Sequence, residues 1–244
     1  MTLVIIVLEF IALYILSRRL TQNLYIAVYL ITKSRPIGIG FLSLLFFPGT
    51  VIHELAHMFV AEVLGVRTSG LTLVPEGLEE KNVKTGSVMI AQTDPFRRAV
   101  IGIAPVIVGL LMLGVISYYL PGVWEQAILD TQNGLLFAKW NGLLCAFLIY
   151  ALFAVSNTMF SSPEDLEGFW PVVIVFLLVA VAGYLTGIRL TLTGPVLTGL
   201  LLFLTGMAKS LGYVTALNIA LFLGTIFLIR AAESITKRKL VVQS

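Results

Sequence analysis

His53 and His57 are the only two histidines in the chain, and they stand four positions apart in His53-Glu54-Leu55-Ala56-His57. On a helix, residues i and i+4 share one face, so both imidazoles can reach a single metal ion. That is the geometry a zinc site needs from its first two ligands. Glu54 points to another side of the same turn, where it could take a proton from water activated by the metal. Catalytic zinc also wants a third protein ligand and an open position. The acidic candidates are Asp165, Glu164, Glu167, Glu62, Glu76 and Glu80. Glu62 follows His57 by five residues, which turns it to another face and suits a helix-end charge. Asp165 follows a different apolar run, which can fold back against the histidine helix.

The elements that must position these groups lie in a membrane. Hydrophobic residues make up 58% of the chain and charged residues 12%; soluble domains carry roughly 25% charge. Mean hydropathy is +0.99. The 244 residues suffice for one membrane domain built of spans of ~20 residues, with no separate soluble domain. The net charge of +3 belongs to basic membrane flanks, with no long basic run of the kind that binds nucleic acid. Cys145 is the single cysteine, so an internal disulfide is excluded and the residue packs as a small hydrophobe. Ionisable side chains within a span cost about 2.5–3.5 kcal/mol each on insertion scales. Two histidines and a glutamate held together there need a compensating partner, and a bound cation is one.

The expected fold is an all-α polytopic membrane protein with about six to seven transmembrane helices and a small β-hairpin region after the histidine helix. Residues 1–35 are read as a short first span, Leu3 to Leu16, followed by an interfacial segment, Leu20 to Arg35. Residues 36–170 form the core, with a long helix from Ile37 to Val66 kinked at Pro48-Gly49. Strand-like runs Leu71 to Val74 and Ser87 to Ala91 flank a charged tip in a hairpin at about 68–95. Further spans are expected over Ala99 to Tyr119 and Trp140 to Phe160, with a loop from Pro121 to Lys139. Residues 171–230 hold the C-terminal helices, one from Pro171 to Gly187 and two more over Pro195 to Arg230 with a turn at Lys209. Residues 231–244 are a soluble basic tail. The location expected is a prokaryotic cell membrane, with the lipid bilayer as surroundings and several passes through it.

The stretch Phe47-Pro48-Gly49-Thr50-Val51-Ile52-His53-Glu54-Leu55-Ala56-His57, followed by Ala61 and Gly65-Val66-Arg67, resembles the site-2 protease family of intramembrane zinc metalloproteases. That family has a HExxHxxxA helix, a membrane-associated hairpin region, a Gly-Pro-bearing span, and an Asn-to-Asp stretch ending in Asp-Gly. Asn157 stands eight residues before Asp165, as in the family. The resemblance covers about residues 40 to 170. It implies His53, His57 and Asp165 as ligands of Zn2+, Glu54 as general acid/base, and Asn157 beside the bound substrate or oxyanion. It further implies a membrane-protein or peptide substrate cut in or near a transmembrane segment. The chain departs from the family at Ala104-Pro105, at Val108, and at Asp165-Leu166-Glu167-Gly168, where Gly does not follow Asp directly. These departures leave the third ligand open between Asp165 and its acidic neighbours. A catalytically silent membrane binding module of the same fold, or a membrane zinc peptidase with a glutamate ligand, is the alternative.

Overall fold

The computed structural model describes residues 2–73, 86–132, 140–160, 165, 169–187 and 194–236. The elements run α1 (Thr2–Thr32), α2 (Arg35–Val63), β1 (Thr68–Thr72), β2 (Ser87–Ile90), α3 (Pro95–Gln132), α4 (Trp140–Thr158), α5 (Phe169–Leu185) and α6 (Gly194–Thr236). The protein is mostly helical with one small sheet. Among the described residues, α2, α3, α4 and α6 are long and apolar enough to cross a membrane.

Three expected breaks are absent. The first span and the interfacial segment are one helix of 31 residues. Ser17-Arg18-Arg19 does not interrupt it, because the helix buries Ser17 and Leu20 while Arg18 turns outward to donate to Tyr14 Oη at 3.0 Å. The chain reverses only at Lys33, whose φ is 57°, and Pro36 then opens α2. The loop expected after Pro121 is helical as far as Gln132, with Pro121 inside α3. The turn expected at Lys209 is likewise missing, since α6 is continuous over 43 residues. At ~1.5 Å per residue α6 is about 64 Å long, twice the ~30 Å hydrocarbon thickness. Gly206 and Gly212 are therefore helix residues, and Gly212 brings α6 close to Glu9 of α1.

Helices α1 and α6 lie side by side and run parallel. Gly212 sits by Glu9, and farther along both helices Asn23 Nδ2 donates to Thr225 Oγ1 at 3.2 Å. Leu13, Leu113, Leu152, Leu211 and Val214 interlock in a core shared by α1, α3, α4 and α6. A second cluster, Leu20, Leu42, Phe46 and Phe153, joins α1, α2 and α4. The helix α2 passes through Pro48 without interruption. The next residue, Gly49, lets it touch α4: a Cβ there would meet the Ala154 carbonyl oxygen at 2.6 Å. Tyr150 Oη donates to the Leu45 carbonyl at 3.0 Å one turn earlier. That close seam brings the C-terminal end of α4 level with the histidines.

The hairpin forms as an antiparallel pair with register Thr68↔Ile90, Ser69↔Met89, Leu71↔Val88 and Thr72↔Ser87. The register shifts between Ser69 and Leu71, where Gly70 takes φ 65° and accommodates a bulge. The first strand starts earlier than expected, at Thr68, because Ala91 N donates to Arg67 O and extends the pairing towards the end of α2. The charged tip, with Glu76 and Glu80, lies outside the described residues, as do Glu164, Glu167 and the basic tail beyond Thr236.

Candidate metal centre

Each histidine ring is held by a main-chain carbonyl from another helix. His53 Nδ1 donates to Thr158 O of α4 at 2.7 Å, and His57 Nδ1 donates to Ile101 O of α3 at 2.9 Å. A carbonyl only accepts, so both Nδ1 atoms carry their protons and both Nε2 atoms present bare lone pairs. Those Nε2 atoms face each other at 3.2 Å. The Asp165 carboxylate closes the third side, with Oδ1 3.5 Å from His57 Nε2 and Oδ2 3.9 Å from His53 Nε2. One ligand atom from each residue lies within 4.8 Å of the others.

Three electron-pair donors with no proton between them repel one another, and a cation at their centre removes that repulsion. The spacing fits one: two ligands at ~2.0–2.1 Å on a tetrahedral ion stand about 3.3 Å apart. The donor set of two imidazoles and a carboxylate is one that a catalytic divalent metal takes. Coupling to α3 and α4 also explains why the rings do not collapse onto each other; they stand nearly perpendicular, at 79°.

Two glycines permit the assembly. A Cβ at Gly102 would run into the Asp165 main chain, so the absence of a side chain there lets Asp165 rest directly on α3. A Cβ at Gly86 would stand 2.9 Å from Glu54 Oε1 and from Thr50 Cγ2. The start of β2 therefore passes immediately over Glu54, which is buried in α2 beside the trio. From there β2 leads to a cavity of about 370 Å³ lined by His57, Asp165, Gly102, Ile90, Gln92 and Arg98, among others.

Of the acidic residues considered from the sequence, Asp165 joins the histidines. Glu62 is exposed at the end of α2, as its spacing indicated. Asn157 lies one residue before Thr158, but its amide nitrogen is turned into the helix bundle, donating to Phe153 O at 2.8 Å and to Asn218 Oδ1 at 2.8 Å. The orienting carbonyls of Thr158 and Ile101 were not foreseeable, because a main-chain oxygen leaves no mark on residue type. Gly86, Gly102 and Asn218 were overlooked as well. Asn218, a lone amide in a long apolar run, carried the clearest signal of the three. No protein family, curated protein or solved structure matches the chain.

Proposed function

We propose that the protein is an intramembrane zinc metalloprotease of the site-2 protease type, hydrolysing a peptide bond in or near a transmembrane segment of a membrane protein or peptide. The observation that carries the reading is the convergence of two deprotonated Nε2 atoms and the Asp165 carboxylate beside a buried glutamate on an apolar helix. His53, His57 and Asp165 hold the metal. When bound, Zn2+ supplies Lewis acidity for the scissile carbonyl and lowers the pKa of its water towards ~7. Glu54 takes the proton of the attacking water and delivers it to the departing amine nitrogen. Thr158 O and Ile101 O keep the imidazoles in the ligating tautomer throughout.

A substrate helix has its amides paired internally and must unwind before a bond is presented. Strand β2 suits the next step by its course: it runs from Gly86 over Glu54 to Ile90 at the cavity. An extended segment laid along that strand would be led to the cavity lined by His57 and Asp165, with main-chain hydrogen bonds supplying the register.

The test compares wild type with Glu54→Gln in proteoliposomes carrying model transmembrane peptides. The variant keeps its zinc, measured by elemental analysis, and loses cleavage by ~10²–10⁴-fold, the range for a general acid/base. Equal cleavage by the two proteins, or wild type that binds zinc and cuts nothing, would sink the proposal.

A further inference from the structure

Behind the metal centre a buried polar network ties α6 to the last turn of α4. Asn218 is fully buried, as is Ser156. Asn218 Nδ2 donates to Ser156 Oγ at 3.0 Å and to Val214 O at 3.2 Å, and Ser156 Oγ donates to Phe153 O at 3.0 Å. Asn157 Nδ2 donates to Asn218 Oδ1 at 2.8 Å, while Ser17 Oγ of α1 donates to Asn157 O at 3.1 Å.

The amide orientations are set by chemistry. Val214 O and Phe153 O are carbonyls and only accept, so the Asn218 and Asn157 atoms facing them must be nitrogens. Asn218 Oδ1 is thereby left to receive Asn157. Asn157 Oδ1, buried with no hydrogen-bond partner among the described residues, is an acceptor and so does not suit an oxyanion.

Polar groups in a membrane interior are costly unless they serve a purpose. Here the purpose is legible from the chain itself: Asn157 precedes Thr158, whose carbonyl holds His53 Nδ1. We propose that Asn218 is a positioning residue for the metal centre, holding the Ser156–Thr158 turn of α4 through Asn157 so that Thr158 O keeps His53 in its ligating tautomer. This rests on the metal-site reading of His53, His57 and Asp165 and extends it to a helix that contributes no ligand.

The test is Co2+ titration of the full-length protein, followed by the visible absorption of the bound ion, with thermal unfolding of the metal-free protein alongside. Asn218→Leu keeps the volume and removes both hydrogen-bonding functions, and Co2+ affinity falls about tenfold, the lower end for loss of an outer partner. Ser156→Ala, which deletes one hydroxyl and little volume, moves affinity in the same direction and covers the case in which the leucine variant does not fold. Asn157→Ala lowers affinity similarly, and adding Asn218→Leu to it lowers affinity no further, because the two act in series. Multiplying losses, or unchanged affinity in Asn218→Leu and Ser156→Ala, would overturn the proposal. A wild-type protein that binds Co2+ with the expected mutant pattern but cleaves nothing would refute the protease reading and leave the positioning role standing.

Discussion

At the level of single residues, the property that decides the site is which nitrogen of each imidazole carries hydrogen. Thr158 O and Ile101 O settle it for His53 and His57, and the two Nε2 lone pairs then face each other at 3.2 Å, where one cation could take both. Asp165 is the carboxylate aligned with both. Asp165→Ala should therefore lower zinc affinity by more than about 100-fold, beyond the ~10–100-fold of losing an outer-shell partner. Glu164→Ala and Glu167→Ala should leave zinc content at the wild-type level. Zinc that survives loss of Asp165 and disappears with either glutamate would reassign the third ligand.

At the level of elements, packing distance replaces hydrogen bonding as the deciding quantity. The seam between α2 and α4 closes at Gly49, and Asp165 meets α3 at Gly102. Gly49→Ala should destabilise the protein by about 1–3 kcal/mol, the usual cost of forcing extra volume into a packed seam. Gly40→Ala, in the same helix with nothing within 4 Å, should be neutral or stabilising by up to ~1 kcal/mol through helix propensity. Denaturation in detergent checks the pair. Gly102→Ala should act differently, weakening zinc binding with a smaller change in stability, because the displaced atoms belong to the Asp165 main chain. Glycines reveal none of this by type, since Gly40 and Gly49 sit in similar apolar surroundings in the sequence. Their separate roles come from the partner helix.

For the whole molecule, a metal held by His53, His57 and Asp165 would add a cross-link to helices already joined by apolar packing and by hydrogen bonds. It would tie α2 to Asp165, while the imidazole Nδ1 atoms reach α3 and α4. A ligand that binds only the folded state stabilises it by RT ln(1 + [L]/Kd), about 2.7 kcal/mol at a hundredfold excess over Kd. Adding a chelator should lower the thermal midpoint of wild type by the corresponding amount and leave His57→Ala unmoved. An equal shift in both proteins would show that the chelator acts elsewhere.

What could be read in the amino-acid order was whatever depends on residue type and short spacing. The His53–His57 pair, Glu54 between them, the apolar helices and the hairpin all follow from periods of 3.6 and 2. Span boundaries were less legible: the charges at Arg18, Arg19 and Lys209, and the proline at Pro121, resemble punctuation, yet the helices continue through them. A helix of that length satisfies its own main chain, so a charge on its exposed face does not end it. Only the tertiary structure brought Asp165 to the histidines, the described alternative Glu62 staying exposed at the end of α2, and supplied the Thr158 and Ile101 carbonyls. It also turned the Asn157 amide towards Asn218. Each of these joins residues far apart in the chain, where the approach of two backbones, invisible to local pattern, determines which atoms meet.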